Sequence, residues 1–246
     1  MMNWPEQGVL SVVVPVCNEA DNVAPLAGEV DAALRPLGAY ELIFVDDGST
    51  DETAARVQSL RPGLPAVRLL RHDRRCGQSR AVASGVRAAR GEWVATLDGD
   101  GQNDPADLTR LLESLAGAAA PKPALIMGNR VTRRDTWLRR VSSRVANGVR
   151  GRLLGDGTPD TGCGLKLFHR ATFLELPFFD HMHRFLPALF QRHGARVISV
   201  PVGHRPRTRG QSKYGVGNRL WVGIVDMVGV MWLRSRFKAG VGVTEE

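Results

Sequence analysis

Glu92-Trp93-Val94-Ala95-Thr96-Leu97-Asp98-Gly99-Asp100-Gly101-Gln102-Asn103-Asp104-Pro105 is the stretch on which the reading of the fold turns. A short apolar, β-rich run ends in two aspartates one residue apart, with glycine between and after them, then a glutamine and a proline. In an α/β protein, ligands bind at the carboxyl ends of the strands. An Asp-x-Asp placed there can set two carboxylates around one hard divalent cation, and Mg²⁺ is commonly held by one or two carboxylates together with substrate phosphates. Aspartate and glycine are also ordinary turn residues, so a solvated turn at Asp98 and Asp100 uses the same letters. The flanking sequence decides between the two.

Upstream, Val9 to Val16 is a nearly continuous β-branched run, the pattern of a strand buried on both faces of a parallel sheet. Pro15 and Cys17-Asn18-Glu19 break it, and Asp21 or Asn22 is expected to cap a helix running to about Leu37. Glu41 to Val45 is a second strand, ending in Asp46-Asp47-Gly48-Ser49-Thr50-Asp51. Ser49 or Thr50 is expected to cap the next helix, to about Leu60. Val67 to Leu70 reads as a third strand, and Gly77 to Ala89 as a loop and helix leading into the strand from Trp93 to Leu97. Strand and helix alternate four times, which predicts a doubly wound, mostly parallel α/β sheet with its ligand edge at the strand ends. No Gly-x-Gly-x-x-Gly follows Val16 and no Gly-x4-Gly-Lys-Ser/Thr occurs, so a bound nucleotide must be gripped by carboxylates and metal.

The totals narrow the class. With 246 residues, 43% hydrophobic and 24% charged, the chain is long enough to bury a sizeable core and is not composed like a disordered one. Lys plus Arg number 33 against 25 Asp plus Glu, a net charge of +8, and the pI is near 10.2. An anionic partner follows, whether nucleotide, nucleic acid or membrane, and charge alone does not choose. Cys17, Cys76 and Cys163 are odd in number and far apart, which argues against a disulfide framework and suits a reducing cytosol. Met1 to Gln7 has no secretory pattern, and no run reaches the ~18–20 apolar residues of a spanning helix.

Val14-Pro15-Val16-Cys17-Asn18-Glu19, Val45-Asp46-Asp47-Gly48-Ser49-Thr50-Asp51, Leu97-Asp98-Gly99-Asp100-Gly101-Gln102 and Asp104-Pro105 together resemble family 2 glycosyltransferases of the GT-A fold. The branch that looks closest is that of the polyprenyl-phosphate enzymes, the dolichol-phosphate mannose synthases and their bacterial relatives, and the match runs from about Val9 to Tyr214. The resemblance implies that Asp46, Asp47, Pro15, Glu19 and Gly77 hold the base and ribose of a nucleotide-sugar, either GDP- or UDP-linked. Cys17 joins them at a position usually held by Tyr. It further implies that Asp98, Asp100 and Gln102 surround Mg²⁺ or Mn²⁺ at the diphosphate.

Beyond Leu125 to Gly128, another strand, the pattern changes. Trp137, Val141, Val145, Val149 and Leu153 recur at steps of four, one apolar helical stripe, and seven arginines lie from Arg133 to Arg152. Such a helix can collect phosphates, lie on an anionic membrane or simply pack on the core. By resemblance Arg130, Arg139 and Ser143 receive the lipid phosphate. Asp160-Thr161-Gly162-Cys163-Gly164-Leu165-Lys166 resembles the family's Asp-x-Thr-Gly-x-Phe-Arg segment with lysine for arginine, and His183-Arg184-Phe185 its His-Arg-Phe motif. Arg207 and Lys213 match a basic loop that closes over donor and acceptor phosphates.

Leu220 to Leu233 is a mostly apolar run interrupted by Asp226, with Arg219 before it and Arg234, Arg236 and Lys238 after. As a helix it is roughly 21 Å long against ~30 Å of hydrocarbon, so it is expected to lie in the membrane interface, with Trp221 and Trp232 at headgroup level. A core or dimer helix uses the same pattern. The expected layout is a GT-A domain over 1–216, with a nucleotide-sugar half at 9–120 and an acceptor half at 121–216, then an interfacial helix and basic tail at 217–246.

The expected activity is metal-dependent, inverting transfer of a hexose such as mannose or glucose to polyprenyl phosphate. The location implied is the cytoplasmic membrane face, peripheral or monotopic, with nucleic acid not expected as a partner and a homo-oligomer left open. Two rivals remain. One is a soluble transferase to a glycan hydroxyl, with Asp160 or His183 as base. The other is a non-enzymatic basic module, which leaves Asp98 and Asp100 without work.

Overall fold

The computed structural model describes residues 8–116, 124–131, 148, 151, 153–206 and 219–237. Strands β1 (Leu10–Val16), β2 (Tyr40–Asp46), β3 (Val67–Arg71), β4 (Trp93–Thr96), β5 (Ala124–Arg130), β6 (Lys166–His169) and β7 (Arg196–Val202) form one sheet, in the order β3-β2-β1-β4-β6-β5-β7. β1, β2, β3 and β4 are mutually parallel. β6 runs antiparallel to both β4 and β5, and β7 is parallel to β5. The expected α/β sheet is therefore present, mixed at one point, and it is continuous across the two halves read from the sequence.

That single reversed strand positions the site. Where β4 ends at Thr96, β6 begins, with Thr96 opposite Lys166 and Lys166 opposite Met127 on the other side. The loop preceding Lys166 is thus brought to the same edge as Asp98 and the end of β5 at Arg130.

Alternation along the strands splits the core into two faces. Val12, Val14, Leu42, Phe44, Ala95 and Ile126 face one way, under helices α1 (Ala20–Leu34), α2 (Thr53–Leu60) and α4 (Asp107–Ala116). Val13, Ile43, Val45, Val94, Leu125 and Phe168 face the other. Over them lie α3 (Gln78–Ala88), α5 (Arg170–Leu174), α6 (Leu186–Arg192) and α7 (Arg219–Ser235). Buried on both faces, β1 and β2 have to be apolar at successive positions, which is why they read as continuous runs.

The helix starts differ from expectation. α1 begins at Ala20 and α2 at Thr53, neither with a side-chain cap, so Asp21, Asn22, Ser49 and Thr50 do not cap them. Tertiary pairing takes those groups instead: the Asn18 amide donates to Ser49 Oγ at 2.8 Å and the Thr50 amide to Asn18 Oδ1 at 2.8 Å, joining the β1 and β2 loops. α1 also ends at Leu34 rather than Leu37.

At the opposite edge of the sheet a buried polar cluster has a structural task. Glu41 accepts from Ser11 Oγ at 2.6 Å and from the Arg90 amide at 2.6 Å, and pairs with Arg68. Burial works against its charge, but these donors outweigh burial and hold its pKa below the usual carboxylate value.

α7 packs on the body through buried Val230 with Met227 and Leu233, and Phe237 beyond it lies under Arg192, 4.3 Å from guanidinium to ring centroid. Asp226, which interrupts the apolar run, meets His181 Nδ1 at 3.1 Å. Ile224, Val225, Val228, Met231 and Trp232 are exposed on the other side. Among the described residues no helix is long and apolar enough to cross a membrane.

Candidate active site

The loops at the carboxyl edge enclose a cleft of about 340 Å³, lined by Pro15, Asp98, Asp160, Lys166 and His183 among others. Asp98 stands one residue past Leu97, at the end of β4. It is half-buried, and one oxygen accepts from Gln78 Nε2 at 2.8 Å. Burial and the neighbouring Asp100 raise its pKa, while Lys166 and Arg130 pull the other way. Two carboxylates in mutual repulsion with few donors are short of positive charge, a deficit that a divalent cation would relieve.

The approach to Asp98 is exacting. A Cβ on Gly164 would lie 2.2 Å from the Asp98 carboxylate, so only glycine lets the β6 loop pass so close. Asp100 Oδ1 accepts from the Gln102 amide at 3.1 Å. Gln102 points its own amide nitrogen at the Arg205 carbonyl, 3.4 Å away, and the Arg205 amide returns a bond of 2.9 Å to the Gln102 carbonyl. The aspartate loop is thereby tied to the segment that leads to Arg207. The oxygen-rich donor set of Asp98, Asp100 and Gln102 suits Mg²⁺ or Mn²⁺.

Cations face this pair from β5 and β6. Arg130 donates through Nε and Nη2 to the two oxygens of Asp160 at 2.7 and 2.8 Å, a two-pronged pair with both side chains nearly out of solvent. Burial opposes the charge on Arg130, and Asp160 more than restores it. Lys166 is buried, gives its ammonium to the Cys163 carbonyl, and has its pKa lowered by burial. An Asp160 clasped by arginine is a poor proton acceptor.

His183 is also committed. Its backbone amide donates to Ser79 Oγ at 3.3 Å, and Nδ1 shares a second hydrogen bond with that oxygen at 2.7 Å. Burial, with Lys166 and Arg184 nearby, pushes the His183 pKa well below 6.5, so the ring is neutral.

At the end of β2 the picture is reversed. Asp47 accepts from the amides of Cys76 at 2.8 Å and Gly77 at 2.7 Å, and from His72 Nδ1 at 2.8 Å. Gly48, at φ +68°, lies so close under the Arg74–Arg75 backbone that a Cβ there would approach within 2.6 Å. Asp46 is fully buried, accepts from the Ser49 amide at 2.9 Å and meets Arg71 Nε at 3.4 Å. Glu19 accepts from Asn22 Nδ2 at 2.6 Å. The carboxylates expected to grip a nucleoside thus also hold the loops that shape its place.

The edge therefore brings Pro15, Cys17, Glu19, Asp46, Asp47, Gly77, Asp98, Asp100, Gln102, Arg130 and Asp160 to one side of the sheet. Arg139, Ser143, Arg207 and Lys213 lie outside the described residues, as does most of the apolar stripe from Trp137 to Val149. Gln78, Ser79 and His72 escaped the sequence reading. Gln78 and Ser79 signalled only as a polar start to a helix after glycine, and His72 not at all, since their partners are 20 to 104 residues away.

Comparison with known proteins agrees with this geometry. The chain is 38% identical over 98% of its length to the dodecaprenyl-phosphate galacturonate synthase of Rhizobium johnstonii, of which it covers 71%. It is 36% identical over 84% of its length to the undecaprenyl-phosphate 4-deoxy-4-formamido-L-arabinose transferase of Edwardsiella ictaluri, covering 63% of that protein. The chain thus spans about two thirds of the length of these relatives. Among solved structures, glucosyl-3-phosphoglycerate synthase from Mycobacterium tuberculosis with Mg²⁺ and UDP superposes with a TM-score of 0.70 at 20% identity, over 98% of this chain and 84% of that one. That likeness is one of fold. Residues 11–176 match the glycosyl transferase family 2 pattern, and with that span and those relatives the chain belongs to glycosyltransferase family 2.

Proposed function

We propose that this protein transfers a sugar from a nucleotide-sugar to a polyprenyl phosphate at the cytoplasmic face of a membrane, with inversion at the anomeric carbon. The observation that carries the reading is Asp98 at the β4 end, held at a raised pKa by burial and the neighbouring Asp100, sharing one cleft with Lys166 and within electrostatic reach of Arg130. Asp98 and Asp100, with Gln102, would hold Mg²⁺ or Mn²⁺. When bound, such an ion stabilises negative charge gathering on the departing nucleoside diphosphate.

The acceptor chemistry fits the groups present. A phosphate monoester has its second pKa near about 6, so it is largely dianionic at neutral pH and needs no base. The two candidate bases for a hydroxyl acceptor are otherwise engaged, Asp160 by Arg130 and His183 by Ser79. What the protein must supply is alignment of two anions, the task given to Arg130 and, by sequence, to Arg139, Ser143, Arg207 and Lys213. The exposed apolar face of α7, with Arg234 and Arg236 at its end, supports interfacial docking beside a lipid acceptor.

The sugar follows from a panel. The relatives named above handle galacturonate and a formamido-arabinose, so UDP-linked uronates and amino-pentoses are tested beside the hexoses, mannose and glucose, and UDP- beside GDP-donors. Label extracted into the organic phase with polyprenyl phosphate, dependent on Mn²⁺ or Mg²⁺ and abolished by EDTA, is the expected result. Label on a soluble glycan, with none in the lipid, would replace the acceptor.

A further inference from the structure

A second set of side chains with metal-ligating atoms is made of residues other than Asp98 and Asp100. Asp47, at the end of β2, His72, just past β3, and Cys76, before α3, bring a carboxylate oxygen, an imidazole nitrogen and a thiol sulfur within 4.8 Å of one another. The donors are mixed and soft, unlike the all-oxygen set at Asp98, and such a set favours Zn²⁺ over Mg²⁺ or Mn²⁺.

The surroundings already orient each donor. The Asp47 carboxylate is fixed by the amides of Cys76 and Gly77, one on each oxygen. His72 Nε2 shares a hydrogen bond with Ser84 Oγ at 2.9 Å, and Nδ1 is the nitrogen turned toward Asp47, 2.8 Å away. An outer hydrogen bond of that kind is the usual support of a metal-bound imidazole. Cys76 Sγ donates to the Arg74 carbonyl, at 3.3 Å, on a partly exposed loop. Tetrahedral zinc, with bonds of about 2.0–2.3 Å, places its ligand atoms about 3.3–3.6 Å apart. Closing Cys76 onto the pair therefore needs a shift of about one ångström, within reach of one side-chain rotation.

We propose that Asp47, His72 and Cys76 form a zinc site with one open coordination position, separate from the Asp98 and Asp100 pair. Binding at Nδ1 leaves the imidazole proton on Nε2, toward Ser84 Oγ, and releases the thiol proton of Cys76 to solvent. Because Asp47 belongs to the donor-nucleoside end of the cleft in the function proposed above, an ion there competes with donor. That clause rests on the proposed function, whereas the site itself does not.

The test titrates Co²⁺, as a spectroscopic stand-in for Zn²⁺, into the full chain and follows the thiolate-to-cobalt charge-transfer band. Cys76→Ser should abolish the band, whereas Cys17→Ser and Asp100→Asn should retain it at one ion per chain. Zn²⁺ should displace Co²⁺, and its affinity by calorimetry should weaken at least about tenfold in Cys76→Ser. Absence of the band in wild type, or its persistence in Cys76→Ser, overturns the site. Separately, UDP binding measured in Mn²⁺ should weaken on adding Zn²⁺ in wild type and not in Cys76→Ser. A band with no such competition upholds the site and overturns its link to the donor.

Discussion

Two strand ends two positions apart in the sheet carry aspartates of opposite character. At the end of β2, Asp47 accepts from two backbone amides and a histidine, and every donor comes from the loop between β3 and α3. At the end of β4, the Asp98 carboxylate accepts from the Gln78 side-chain amide, its backbone amide donates to Asn103 Oδ1 at 3.3 Å, and it faces Asp100 with its pKa raised. The first carboxylate takes its hydrogen bonds from one neighbouring loop, and the second has fewer donors and a like charge beside it. A motif letter does not say which is which; the donors around it do.

That comparison can be broken by mutation. The largest effect is expected at the under-compensated end. Asp98→Asn or Asp100→Ala should lower sugar transfer by about 10²–10³-fold, since each removes several kcal/mol of charge stabilisation in the reaction. Their urea midpoints should stay unchanged or rise, because a repelling charge has been removed. A midpoint that falls steeply would give Asp98 the same structural role as Asp47.

Asp47→Ala should show the reverse weighting. It orphans two amides and His72, and about 2–4 kcal/mol of unfolding free energy should be lost in urea titration. Gly164→Ala lies between the two ends. Its methyl would meet the Asp98 carboxylate, so about 10-fold or more of activity and about 1–3 kcal/mol of stability should go together, read by kinetics and denaturation on one preparation.

Glu41→Gln, at the opposite edge, should cost about 1–2 kcal/mol and leave kcat alone. The Glu41 carboxylate has its pKa lowered on folding, so its contribution is present above the unfolded value near about 4.3 and is lost as pH falls through the folded one. A second pH effect comes from His183, whose folded pKa is depressed. The unfolded chain takes up the proton first, so stability is full above about pH 6.5 and declines as pH falls below it. His183→Asn should flatten that slope in melts between pH 5 and 7, and a slope unchanged by the substitution would mean the ring titrates alike in the folded and unfolded chains.

The same contrast explains what could be read in advance. β1 and β2 are buried on both faces and must be apolar throughout, so Val9 to Val16 and Glu41 to Val45 announced them. β6 is four residues long, starting on a lysine and ending on a histidine, and β7 is an edge strand carrying Pro201 and exposed positions, so neither has a period to find. Asp98 and Asp100 were legible because a strand and its carboxylates are neighbours in the chain. The clasp of Arg130 on Asp160 was not, because its partners are 30 residues apart and joined only by the antiparallel return of β6. Ser49, a good cap by composition, was drawn off by Asn18 for the same reason: long-range pairing outbid a local bond.

The central claim, that the β4 end holds the metal and its nucleotide, is tested most directly by Mn²⁺ electron paramagnetic resonance with UDP. Loss of the free-ion signal on adding wild-type protein, and its return in Asp98→Asn and Asp100→Asn, is the predicted result. Equal uptake of Mn²⁺ by wild type and both variants would contradict it.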